Sequence, residues 1–170
     1  NFITYTKHGV AESTLLKATK VGHHYNLVNE SKDIDNGSVA AIGDRKKADV
    51  FEAKVPAKGD KIVLILTAPK IYEDYTTKMQ EESNFYNGKG EVMRAYEIQD
   101  TDRFTLSTEA FNSDAELAVG KYVFVDGTGF KLTTGEKPNM TEYGFVGHIY
   151  EVAANGNYRI WVDKNAQVYA

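Results

Sequence analysis

The strongest constraint on the fold is a pair of glycine-centred turns near the carboxyl end, each set between two short runs rich in aromatic and β-branched residues. Residues 121–125 (KYVFV) and 130–134 (FKLTT) flank Asp126-Gly127-Thr128-Gly129, while residues 148–153 (HIYEVA) and 158–162 (YRIWV) flank Ala154-Asn155-Gly156-Asn157. Asp-Gly and Asn-Gly pairs supply the positive φ that a hairpin connection needs, so both units read as β-hairpins. In the second, Tyr150 and Val152 share one face, and Tyr158, Ile160 and Val162 share a face of the partner strand, which pairs aromatic with β-branched side chains across the ladder.

The same texture, short β-type runs separated by turn residues, extends back to Gly22. The run KIVLILT (61–67) is almost entirely apolar and predicts a central strand buried on both faces. EVMRAYEI (91–98) and RFTLS (103–107) follow, the latter with Phe104 and Leu106 on one face and Arg103 and Thr105 on the other, and QDTDR (99–103) makes a tight turn between them. The fold class expected is all-β: a single β-barrel or β-sandwich domain of short antiparallel strands at 21–170, preceded by an N-terminal arm at 1–20. A helix competes with irregular chain in two places. Ile71, Tyr75 and Met79 recur every four residues, as one or two helical turns or an irregular excursion would both allow, and 12–17 is an alternative short helix within the arm.

The bulk properties narrow the function. With 170 residues, 42% of them hydrophobic, the chain can build a core without staples. Twenty basic against 24 acidic side chains leave a net charge of -4, which argues against nucleic acid as a partner. The absence of Cys excludes disulfides, thiolate zinc sites and thiol catalysis. No apolar run reaches the ~20 residues of a membrane span, so no membrane partner is expected. The first ten residues lack the pattern of a secretory leader, and the sequons at Asn29, Asn36 and Asn139 are accordingly read as chance.

No catalytic signature emerges from the candidates. His8, His23, His24 and His148 lack chelating spacing. The Asp33 to Gly37 run departs from a calcium loop in the position of its glycine and reads as a turn between strands. Asp100 with Asp102, and Glu73 with Asp74, read as solvated acids rather than a glycosidase pair. Gly127-Thr128-Gly129 and Gly88-Lys89-Gly90 are turns rather than phosphate loops. The chain is therefore expected to be no enzyme and to need no cofactor or metal.

Eleven Tyr and one Trp leave ample material for contacts. Tyr72, Tyr75, Phe85 and Tyr86 cluster in a polar stretch where core burial is not assured, and the arm carries Phe2, Ile3 and Tyr5. The candidate interface residues are Phe2, Ile3, Tyr5, Tyr72, Tyr75 and Tyr86. Trp161 lies opposite Tyr158, Ile160 and Val162 in its strand, facing either solvent or a second layer.

Three stretches, EVMRAYEIQDTDRFTLSTEAF (91–111), VGKYVFVDGTGFKLTTG (119–135) and GFVGHIYEV (144–152), together cover about a third of the chain. Their pattern resembles the small β-rich head-decoration and minor structural proteins of tailed bacteriophages. The resemblance implies a virion structural protein that is made in the host cytoplasm, binds the outer capsid surface and stabilises the head. Its partners would be the major capsid protein and other virion proteins, with homo-oligomers forming on the particle. A carbohydrate-binding β-sandwich module of a surface or tail adhesin is the alternative expectation, with exposed Tyr and Trp161 as stacking platforms.

Overall fold

The computed structural model describes residues 7–18, 24–67 and 86–169. In chain order the strands are β1 (Ala11–Leu15), β2 (His24–Val28), β3 (Val39–Lys47), β4 (Val50–Lys54), β5 (Val63–Ile65), β6 (Met93–Glu97), β7 (Arg103–Leu106), β8 (Tyr122–Phe124), β9 (Thr133–Gly135), β10 (Phe145–Val152) and β11 (Tyr158–Asn165). They form an all-β protein of two parts. One is a six-stranded sheet in the order β1-β7-β11-β10-β8-β9, and the other is a closed barrel in the order β2-β4-β3-β5-β6. Every ladder is antiparallel except β2 with β4. Among the described residues no helix is long and apolar enough to cross a membrane.

The apolar run at 61–67 holds the two parts together. Alternation along β5 sends Val63 and Ile65 into the barrel, where they meet Leu27, Ala40, Ala53, Met93 and Ala95. Ile62 and Leu64 point the other way, into a second core with Phe104, Leu106, Phe145, Ile149, Ile160 and Val162 of the sheet. One strand thus lines two cores, which explains why its sequence has no polar face. Asn165 at the end of β11 reinforces the joint. Its side chain accepts from the Ile62 N–H at 3.0 Å and donates to the Ile62 and Ile98 carbonyls at 2.9 and 2.8 Å.

The closing hairpin forms as expected, with Val152 opposite Tyr158 and Gly156 at φ +86 in the turn. The other hairpin is present but looser than its sequence suggests. β8 pairs with β9 only from Tyr122–Gly135 to Phe124–Thr133, so the returning strand starts at Thr133 instead of Phe130. The Asp-Gly chemistry is in place, since Asp126 accepts from the Thr128 N–H and hydroxyl and Gly127 has φ +83. What delays pairing is burial: Phe130 enters the barrel core and Leu132 the sheet core. The Phe130 carbonyl accepts from Val39 of β3 at 2.7 Å, so that carbonyl is engaged by the barrel.

Two further expectations change. Residues 11–15 are a strand rather than part of a helix at 12–17, pairing with β7 from Ala11–Leu106 to Leu15–Arg103 with a bulge after Ser13. This strand falls inside the stretch read as an arm, and it occupies the edge of β7 that β11 leaves open. Asp102 was expected to be solvated and is fully buried, its carboxylate accepting from the N–H groups of Gln99 and Lys17 at 2.9 and 3.3 Å. The turn it stabilises passes the chain from the barrel to the sheet, and burying the acid is tolerable because both oxygens are hydrogen-bonded. The possible helix around Ile71, Tyr75 and Met79 lies outside the described residues.

Candidate functional site

Of the six candidate interface residues, Phe2, Ile3, Tyr5, Tyr72 and Tyr75 lie outside the described residues. Tyr86 is described and is 44% exposed, its ring packed on His8 with centroids 4.8 Å apart. That contact brings the chain just after residue 6 beside the chain just after residue 85. The turn at Asp33 to Gly37, between β2 and β3, is what holds them together.

Within that turn Asp35 and Asn36 divide the work. Asp35 takes the N-terminal side: one carboxylate oxygen lies 2.6 Å from His8 Nδ1 and the other accepts from the Gly9 N–H at 2.9 Å. Asn36 takes the other side, donating to the Thr67 carbonyl at 2.8 Å and accepting from the Thr67 N–H at 3.0 Å and from Asn87 Nδ2 at 3.1 Å. Asn87 also donates its side chain to Ile34 and exchanges backbone hydrogen bonds with it. Asn36 and Asn87 are 7% and 3% exposed, so their amides are structural, and the sequon at Asn36 is occupied by its own fold. The sequons at Asn29 and Asn139 are likewise local turns, each Asn oxygen accepting from the residue two positions on.

A cleft of about 310 Å³ opens at this hub, lined by Lys32, Asp33, Asp35, Asn112, Phe130 and Lys131 among others. Lys131 lies 3.7 Å from Asp35 and donates to the Glu109 carbonyl at 2.7 Å. Nearby, Lys7 pairs with the Glu109 carboxylate at 3.1 Å. Burial pushes the Glu109 carboxyl up, but a backbone hydrogen bond and Lys7 outweigh it and hold the group below its ordinary value. Asp35 and Lys131 thus tie His8 and the backbone at Gly9 and Glu109 into one network. No group of three or more potential metal ligands occurs among the described residues.

A second cleft, about 260 Å³, sits on the barrel beside Tyr25, Ala41, Lys54, Asp60, Lys61 and Glu97. Polar groups lining it engage one another: Lys61 meets Glu97 at 2.6 Å, and Gln167 donates to Asp60 at 2.9 Å while accepting from the Lys61 N–H. Gln167 of the C-terminal segment forms one wall of this cleft, and the next residue, Val168, donates its N–H to the Gly59 carbonyl.

Sequence reasoning singled out Tyr86 as an interface candidate and the structure shows it exposed, but it did not foresee that His8 would pack on its ring or that Asp35, Asn36 and Asn87 would bond the chain around it. Asn36 was visible only as a turn residue, because pairing it with Thr67 and Asn87 requires the barrel to be closed. No protein-family model matches the chain, and no curated protein or solved structure matches it either.

Proposed function

We propose that this is a virion structural protein that binds the outer capsid surface of a tailed bacteriophage and stabilises the head. The observation that supports this reading best is the convergence at Asp35 and Asn36. The described residues that adjoin the two aromatic-rich stretches of sequence, His8 and Gly9 on one side and Thr67 and Asn87 on the other, meet at a single hub. A cementing protein needs contact groups concentrated at one place on a rigid scaffold, because a scattered set would lose to ordering entropy what it gained in contact. The two-core body supplies the rigidity, and the hub ties three points of the chain within hydrogen-bond reach.

The test is co-sedimentation of the purified protein with capsids of the phage that encodes it. Saturable binding at a copy number matching capsid symmetry is expected. Tyr86→Ala should weaken it severalfold while shifting the melting temperature little, since the ring is 44% exposed. Failure of the unaltered protein to sediment with capsids would remove this reading.

A further inference from the structure

The outer face of the six-stranded sheet, opposite the core, carries a cross-strand row that nothing so far has used. Tyr122 of β8 stands opposite His148 of β10, His148 opposite Trp161 of β11, and Trp161 opposite Arg103 of β7. Three inter-strand steps make the row about 14 Å long. Its members are partly exposed, and they touch: Tyr122 to His148 centroids are 6.2 Å apart, and the Arg103 guanidinium carbon lies 4.9 Å from the Trp161 ring centre. Tyr150 packs edge-on to Trp161 at 6.1 Å.

The charges along this face are not equivalent. His148 Nδ1 is held by Asp163 at 2.8 Å, and Arg159 is paired with Glu151 at 3.3 Å. Arg103 has no hydrogen-bond or carboxylate partner among the described residues, and its Nε is buried without one. The buried Nε is out of a ligand's reach, so the guanidinium, held on Trp161 and without a carboxylate partner among the described residues, offers its terminal nitrogens to an anion.

We propose that this row binds an acidic glycan, a chain of sugar rings bearing carboxylates. The sugar carboxylate pairs with Arg103, the C–H faces of successive rings lie on Tyr122, Trp161 and Tyr150, and hydroxyls bond the His148–Asp163 pair, which offers donor and acceptor together. The mixture favours this occupant over others. The centre of a protein interface is depleted in acidic side chains, whereas here Asp163 sits beside the row, bonded to His148, and Glu151 lies on the same face. Nucleic acid needs clustered cations, and this face sets Asp163 and Glu151 against them. The proposal is independent of capsid binding.

Trp161 is the chain's one tryptophan, so its fluorescence reports the row directly. The intact protein is titrated with oligogalacturonate, with neutral oligosaccharides of equal length, and with single-stranded DNA. A saturable emission change with oligogalacturonate alone is expected, and Arg103→Gln should weaken it about tenfold or more with an unchanged far-UV spectrum. Tyr122→Ala, which leaves Arg103 and Trp161 in place, should weaken it less. An equal response to neutral sugar, a response to DNA instead, no response to any ligand, or unaltered affinity in Arg103→Gln would each overturn the proposal.

Discussion

In the barrel every strand has a neighbour on both sides, whereas the sheet ends at β1 on one flank and at β9 on the other. Their interiors differ as well. The barrel interior sets three alanines, Ala40, Ala53 and Ala95, among Leu27, Ile34, Val63, Ile65 and Met93, and takes in Phe130 from the β8–β9 connection. The sheet side is packed with large ones, Phe104, Phe145, Leu106 and Ile149, and takes Leu64 and Val39 from the barrel wall. Closure therefore saturates the barrel's backbone but leaves its core dependent on a side chain lent by the sheet region. The sheet has the larger core and, among the described residues, no strand beyond β1 or β9. A closed hydrogen-bond ladder does not make a core self-sufficient: the barrel borrows Phe130 while the sheet borrows Val39, Ile62 and Leu64, so each half completes the other.

The comparison breaks if the halves unfold apart. Phe104→Ala empties a fully buried site in the shared core and should cost about 3–5 kcal/mol. Because β5 lines both cores, urea unfolding followed by Trp161 fluorescence, which reads the sheet, and by far-UV circular dichroism, which reads both parts, should give coincident curves. A barrel signal that survives loss of the tryptophan signal would show that the barrel stands alone.

Asn165→Ala sharpens the same point without creating a large cavity. It strips partners from the Ile62 N–H and from two carbonyls in the joint, and a loss of about 2–4 kcal/mol is expected from chemical denaturation. A loss below 1 kcal/mol would mean that water replaces the amide and that the joint rests on apolar packing alone.

The smallest effect expected is electrostatic and belongs to the sheet region's margin. Against the upward push of burial, a backbone hydrogen bond and Lys7 hold the Glu109 carboxyl below its ordinary value in the folded state. A depressed carboxyl stabilises above its unfolded value and loses that contribution as pH falls through the folded one. Lys7→Ala should therefore reduce stability by under about 1 kcal/mol at neutral pH, since Lys7 is 70% exposed, and the difference from the unaltered protein should vanish in acid. Matched denaturation curves at pH 7 and pH 3 measure it; a difference that persists at pH 3 would assign the effect to packing of the lysine stem.

The sequence made the local structure largely readable. Alternation in RFTLS, the apolar run at 61–67 and the Asn-Gly turn each led to the strand or hairpin observed, because those signals are carried by adjacent residues. What stayed hidden depends on partners far along the chain. Nothing near Phe130 announces that it will be drawn into a barrel made by residues 24–97, and nothing in AESTL tells that β7 will have an edge to offer. The candidate site shows the same division: Tyr86 is legible as an aromatic in a polar stretch, but Asn36 gains meaning only when Thr67 and Asn87 reach it. The outer row was half visible, since Trp161 falls out of phase with its buried neighbours, while its alignment with Arg103 and Tyr122 is a matter of register.

The clamp that Asn36 places on Thr67 and Asn87 has a consequence for how this protein can change. The chain leaves the described body at Thr67 and rejoins it by Asn87, and both points are fastened to one amide. A single side chain therefore sets the spacing of two points that are far apart in sequence, so the two are fastened or released together. Asn36 works as a shared pin: remove it, and the hydrogen bonds at Thr67 and Asn87 loosen as one event rather than two.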